Sequence, residues 1–213
     1  MNINLKRDQL PVKQAQNWRE NYEEEAKFTF NLEAPRVILQ KETYKILAGE
    51  NENRVRIYLG IEPPTEEGKF VLCTYAVSAF LLGSGDVYAD YETPVFKLGR
   101  ENINVSEETS EVIENIERYI KWRNGELDPD SVHAQYRKFI YPKAYLLTKY
   151  ELHEIFNVQN RKEAEIGFGI SKLMNIMIYP HVKEDRTTDD GSEVFDFAGT
   201  CPPVCGEKSM YNL

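Results

Sequence analysis

A chain of 213 residues holds one domain or two small ones and is long enough to bury a hydrophobic core. With 41% hydrophobic and 29% charged residues, the composition argues against wholesale disorder, and a net charge of −9 without any basic run argues against a nucleic-acid ligand. The longest uncharged apolar run, Phe70 to Leu82, is too short for a bilayer, which needs about 20 residues, so no membrane partner is expected.

The N-terminus lacks the apolar stretch of a secretory signal. Three cysteines are an odd number and too few for a disulfide framework, so a cytoplasmic location is the expectation.

Pro11 to Lys27 reads as a helix, with Ala15, Trp18, Tyr22 and Ala26 at three- and four-residue spacing. Phe28 to Leu32 alternates as a half-buried strand does. Val37-Ile38-Leu39 reads as a short strand, and Lys41 to Ala48 as a short helix stopped by Gly49. Val55 to Ile61 and the run from Phe70 form an expected antiparallel hairpin across the turn-rich Pro63 to Gly68. An extended piece follows from Asp86 to Leu98. Ser106 is the expected N-cap of a helix ending at Asn124-Gly125, with Val112, Ile113, Ile116 and Ile120 on one face. Asp128-Pro129 opens another helix that Pro142 ends.

The segment after Pro142 resembles the one before Ser106. At a shift of 109 positions, Arg36–Ile61 and Tyr145–Ile170 share Glu42/Glu151, Ile46/Ile155, Asn51/Asn160, Ile57/Ile166, Gly60/Gly169 and Ile61/Ile170. Self-similarity at a fixed offset is a repeat signature. Val87-Tyr88-Ala89-Asp90-Tyr91 aligns with Val194-Phe195-Asp196-Phe197, which pairs Asp90 with Asp196. The expected fold is therefore α+β: two diverged copies of a strand-helix-strand-strand module with antiparallel sheet, joined by a helical connector. The segments are an N-terminal helix (1–27), a first repeat (28–98), the connector (99–141) and a second repeat (142–213). The shared residues read as scaffold. Gly60 and Gly169 mark a bulge or a close approach by neighbouring groups, and Asn51 and Asn160 suit a left-handed turn position.

Only the second copy carries Cys201-Pro202-Pro203-Val204-Cys205. Two thiolates fall short of the four ligands of a structural zinc, and His133, His153 and His181 do not complete a set by spacing. A straight proline-rich segment would hold the cysteines about 12 Å apart, beyond disulfide reach unless Pro203 sits in a turn. The favoured reading is a docked terminal segment whose cysteines act as small apolar residues.

Ile166-Gly167-Phe168-Gly169-Ile170, Phe195-Asp196-Phe197 and the Cys-Pro-Pro-Val-Cys tail together resemble a family of uncharacterised bacterial proteins typical of Bacteroidota. Its members carry an Ile-x-Ile-Tyr-x-Gly strand and an Asp-Phe…Cys-Pro-Pro-x-Cys ending, and Arg56-Ile57-Tyr58-Leu59-Gly60 fits the strand better than the second copy does. The resemblance implies a bacterial cytoplasmic protein and carries no function. With no converging catalytic groups, the expected role is a non-enzymatic binding or assembly protein without a cofactor, engaging a protein partner or itself. The alternative is a metal-binding or thiol-redox protein using the Cys pair. Candidate binding residues are Asp196, Cys201, Pro202, Pro203 and Cys205.

Overall fold

The computed structural model describes residues 6–28, 32–33, 36–66, 70–83, 85–99, 104–127, 139–180, 193–196, 198–203, 205–206 and 209–213. The helix expected from Asp128 falls almost wholly outside these residues, as does most of the strand expected from Phe28.

Helix α1 (Val12–Phe28) follows Pro11, whose fixed φ suits a helix entrance. A two-residue strand, β1 (Leu32–Glu33), precedes β2 (Val37–Gln40), which runs directly into α2 (Lys41–Ala48). Gly49 ends α2 at φ 57°, in the left-handed region that glycine enters without a Cβ penalty. The long hairpin of β3 (Arg54–Ile61) and β4 (Phe70–Leu81) is antiparallel, pairing Arg54 with Ala79 and Ile61 with Leu72. Three short strands follow: β5 (Tyr88–Asp90) and β6 (Phe96–Leu98) pair with β4, and β7 (Val105–Ser106) pairs with β6.

Helix α3 (Thr109–Asn124) starts later than the sequence suggests. Ser106 is committed to β7, and Glu108 stands at the N-cap without a side-chain cap bond. Its end is as expected, with Gly125 left-handed at φ 78°. Then come β8 (Ala144–Leu146), α4 (Lys149–His153) with a π-helical turn at Glu154–Val158, β9 (Glu163–Ile170), β10 (Met174–Tyr179) and β11 (Gly199–Cys201). The fold is α+β with antiparallel sheets; β1 alone among the described strands runs parallel to its partner, β4.

Each sheet combines strands from both halves of the chain. β2 pairs with β9, Val37 opposite Ile166. β8 pairs with β3, Tyr145 opposite Ile57. One sheet thus runs β10-β9-β2 and the other β11-β8-β3-β4-β6-β7. The helices follow the same rule. α1 crosses β9 at Gly169, where an added Cβ would meet Trp18 Cβ at 2.9 Å. α3 crosses β3 at Gly60, where it would meet Asn115 Cβ at 3.1 Å. Further along the helices, Asn21 donates to the Ile170 carbonyl (3.0 Å) and Arg118 to the Ile61 carbonyl (2.7 Å). Both glycines therefore answer to a helix packed hard against the strand.

Register refines the comparison of the two segments. β2 and α2 match β8 and α4 best at a shift of 108, which places Thr43 with Glu151, Tyr44 with Leu152 and Leu47 with Ile155, all buried. The 109 shift would instead equate Ile46, 57% exposed, with the buried Ile155. From β3 and β9 onward the shift is 109, since Ile57 and Ile166 occupy matching ladder positions. The extra residue lies between helix and strand, where the second segment has its π-helical turn and closes with Arg161 N–H to Ile155 O. The first closes with Asn53 N–H to Ala48 O.

The two sheets share one core. Leu39, Ile57, Leu59, Ile166 and Ile178 are essentially inaccessible to solvent, each contributing about 1.5–3 kcal/mol by burial. Tyr44 stacks on Phe156 at 4.9 Å, and the Tyr145 hydroxyl donates to Met174 O at 2.6 Å, which joins the sheets through a satisfied polar group.

Candidate functional site

Strand β3 alternates Val55, Ile57 and Leu59 into the shared core with Arg54, Arg56, Tyr58 and Gly60 on the opposite face. Two structures cover parts of that outer face. α3 lies over Gly60. The C-terminal segment lies over Tyr58 and the Asp90 carboxylate that Arg56 pairs with. At Arg54 the face is open.

The middle of the row is a buried polar cluster. Arg56 Nε donates to Asp90 Oδ1 at 2.8 Å, and both side chains are fully buried. The Tyr58 hydroxyl donates to Asp90 Oδ2 at 2.5 Å, and burial with the Asp90 charge beside it pushes the phenol far above its ordinary pKa. Asp90 reaches this position because β5 pairs with β4 at Ala79, beside Arg54 and Arg56 of β3.

The open end is a cleft of about 440 Å³ bordered by Arg7, Tyr44, Arg54, Tyr88, Tyr150 and His153, with Glu52, Thr148 and Lys149 between them. A second depression of about 390 Å³ adjoins it across Arg54, Tyr88 and Lys149 and reaches Phe80 and Tyr91. Arg54 is held rigidly. Its Nε and Nη2 donate to the Leu147 and Leu146 carbonyls (2.7 and 3.1 Å), and its guanidinium lies 4.8 Å from the Tyr88 ring centroid. Arg7 packs over Tyr150 at 5.3 Å. The segment carrying Arg7 is pinned by Leu10 N–H to Val194 O, Asp196 N–H to Asp8 O, and the Thr148 hydroxyl to Asp8 Oδ2. At the start of α4, Thr148 and Glu151 form a reciprocal capping box that fixes where Lys149, Tyr150 and His153 project. The Asn157 amide lies 3.0 Å from His153 Nδ1. Four basic side chains and three tyrosines thus converge in a chain of net charge −9.

Two corrections concern the residues singled out from sequence. Cys201 and Cys205 are joined by a disulfide with Cα atoms 4.7 Å apart. The expected pair of free, buried thiols is wrong because the segment turns at Pro202-Pro203 instead of extending; the Cys201–Pro202 and Pro202–Pro203 bonds are both cis. Both sulfurs are therefore occupied, and among the described residues no group of three or more His, Cys, Asp or Glu could hold a metal ion. Cys73, the free cysteine, is buried, which pushes its thiol up to about 12.

Asp196 is not the counterpart of Asp90. Phe195 bridges Ile178 of β10 as Phe96 pairs with Ala76 of β4, and Ala76 and Ile178 stand at matching hairpin positions. Asp196 therefore corresponds to Lys97. Asp90 is ion-paired, whereas Asp196 accepts the Ala198 backbone N–H at 3.5 Å, and burial raises its carboxyl to about 7. Pro202 and Pro203 are exposed at the tip of the disulfide turn. The Cys-Pro-Pro turn and Asp196 do not form one site with the cleft; none of them borders it.

Sequence reading missed Arg7, Arg54, Tyr88, Lys149, Tyr150 and His153 because four chain segments supply them. One signal was legible: basic residues at Arg54 and Arg56 alternate with apolar ones in an otherwise buried strand. No protein-family model, curated protein or solved structure matches this chain.

Proposed function

We propose that this chain is a non-enzymatic binding protein that receives an acidic, aromatic-containing segment of a protein partner in the cleft at the Arg54 end of β3. The observation that carries this reading is a local excess of positive charge, with Arg7, Arg54 and Lys149 against Glu52 alone, around tyrosine faces in an acidic molecule. Such an arrangement suits carboxylates by charge and rings by stacking, and it raises encounter rates with acidic partners. Absence of a nucleophile–base pair among the lining residues favours binding over catalysis: Thr148 is engaged with Asp8, and His153 with Asn157. The two halves, which exchange strands and helices reciprocally, we take to descend from one module, with the cleft a later specialisation of one end.

The test is fluorescence anisotropy with a labelled peptide of Glu, Asp and Tyr residues, against a Lys-rich peptide of the same length. Saturable binding of the acidic peptide, weakening steeply with salt, is the expected outcome. Equal binding of both peptides, or of neither, would sink the reading.

A further inference from the structure

The C-terminal segment lies on the continuation of the cleft. Arg54 and Tyr88 border the open part, while Arg56, Asp90 and Tyr58 extend the same face of β3 and β5 towards residues 205–206 and 209–213. Tyr211 packs on Tyr58 with ring centroids 5.5 Å apart and donates its hydroxyl to Glu92 O at 2.5 Å. The Tyr58 hydroxyl lies 3.2 Å from Ser209 Oγ. Gly206 fits so closely that an added Cβ would stand 2.5 Å from Asp90 Oδ2 and 2.9 Å from the Tyr58 hydroxyl. The strap begins at the disulfide, where β11 pairs Cys201 with Ala144 of β8.

We infer that the disulfide-clasped C-terminal segment, through Gly206, Ser209 and Tyr211, is a redox-released plug, seated on the inner half of the acidic-segment groove and freed when Cys201–Cys205 is reduced. The inference rests on the reading of the cleft proposed above and adds its regulation. The clasp sets the direction in which the chain leaves β11. With the ring closed, Gly206 is delivered onto Asp90; with it open, the Pro202-Pro203 turn no longer holds Cys205 beside Cys201. Reduction needs an external dithiol. Its thiolate attacks the sulfur of the partly exposed Cys205 rather than the buried Cys201, and the S–S bond breaks as a mixed disulfide forms. The second thiol of the reductant then displaces Cys205. The reductant leaves as a disulfide, and two electrons and two protons end on the Cys201 and Cys205 thiols. Release would bare a buried charge pair, Arg56 and Asp90, to an incoming acidic, tyrosine-bearing segment able to replace Tyr211 on Tyr58. In a reducing compartment such disulfides are transient and regulatory, which suits this use.

The experiment follows the full chain, oxidised and after dithiothreitol, by hydrogen exchange and by titration with the labelled Glu/Asp/Tyr peptide. On reduction, exchange is expected to rise about tenfold at 88–92 and 209–213 while the β9–β10 hairpin stays protected, and the peptide Kd to fall by about fivefold. Gly206→Ala, in oxidised protein, is expected to reproduce the exchange change by wedging the strap off Asp90. Unchanged exchange at 209–213 in fully reduced protein overturns the plug, as does loss of protection across the whole chain. If reduction frees the strap but the peptide binds neither form, the cleft reading fails and the link between clasp and binding fails with it. If the peptide binds both forms equally, the cleft reading stands and the regulation is overturned.

Discussion

On the outer face of β3 stand Arg54, Arg56, Tyr58 and Gly60; at the matching positions of β9 stand Glu163, Glu165, Gly167 and Gly169. Each strand has an antiparallel hairpin partner on one side and a strand from the other half of the chain on the other, and each is crossed by a helix at its last glycine. Beyond that glycine the chemistry diverges. β3 holds a fully buried Arg56–Asp90 pair under the C-terminal strap, while β9 holds Glu165 with the partly exposed Arg36 at 3.4 Å. The framework constrains the glycines and inward residues, and it leaves the outer polar positions free to differ. That is why function is sought at one end of one strand.

The largest expected effect comes from breaking the buried pair. Asp90→Ala leaves Arg56 charged in a sealed site and is expected to cost about 3–5 kcal/mol of stability, measured by urea unfolding. Glu165→Ala on the other strand should cost less than about 2 kcal/mol, because Arg36 is 30% exposed and can turn to water. Equal losses would contradict the difference drawn between the two faces.

The glycines test what the strands share. Gly60→Ala puts a Cβ 2.9 Å from the Tyr75 ring and 3.0 Å from Cys73 Sγ, with Asn115 behind, and should cost about 2–3 kcal/mol. At Gly169 two of the three obstructing atoms belong to the flexible end of Met177, so Gly169→Ala should cost about 1–2 kcal/mol in thermal or urea unfolding. A neutral effect at either position would remove the close helix crossing from the account.

A smaller effect concerns Asp196. Its folded-state carboxyl is raised to about 7 from an ordinary value of 3.8, so its stabilising contribution is complete below about pH 4. That contribution is lost as pH rises through 7, because the folded state must then give up a proton that the unfolded state has already lost. Asp196→Asn should flatten the stability profile between pH 4 and 7 and gain about 1–2 kcal/mol at pH 8, discounted for partial exposure. Asp90→Asn should not reproduce this gain, since it breaks the buried ion pair with Arg56.

Local pattern carried much of the fold. The spacing of Ala15, Trp18 and Tyr22, the stop at Gly49, and the alternation around Ile57 locate α1, α2 and β3 to within a residue or two. The pairing of β2 with β9 and of β8 with β3 was not legible, because a short apolar strand does not record its partner. The one-residue difference after α4 also misled the comparison. An ungapped alignment scored Ile46 against Ile155, although only Ile155 is buried. The disulfide was misjudged from the reach of an extended proline-rich segment, since sequence does not specify that Pro202-Pro203 turns. The cleft was hidden for a simpler reason. Its cations are far apart in sequence, and only the pinned N-terminal segment and the capped start of α4 bring Arg7 and Lys149 to Arg54.

The central claim, that this one basic and aromatic cleft binds an acidic segment, is tested most directly by charge reversal at exposed lining residues. Arg7→Glu with Lys149→Glu changes neither the buried cluster nor the Arg54 bonds to Leu146 and Leu147. Anisotropy titration with the Glu/Asp/Tyr peptide should then give a Kd weakened by about tenfold or more, with urea stability within about 0.5 kcal/mol of the parent. An unchanged Kd in a folded double variant would contradict the assignment of the cleft.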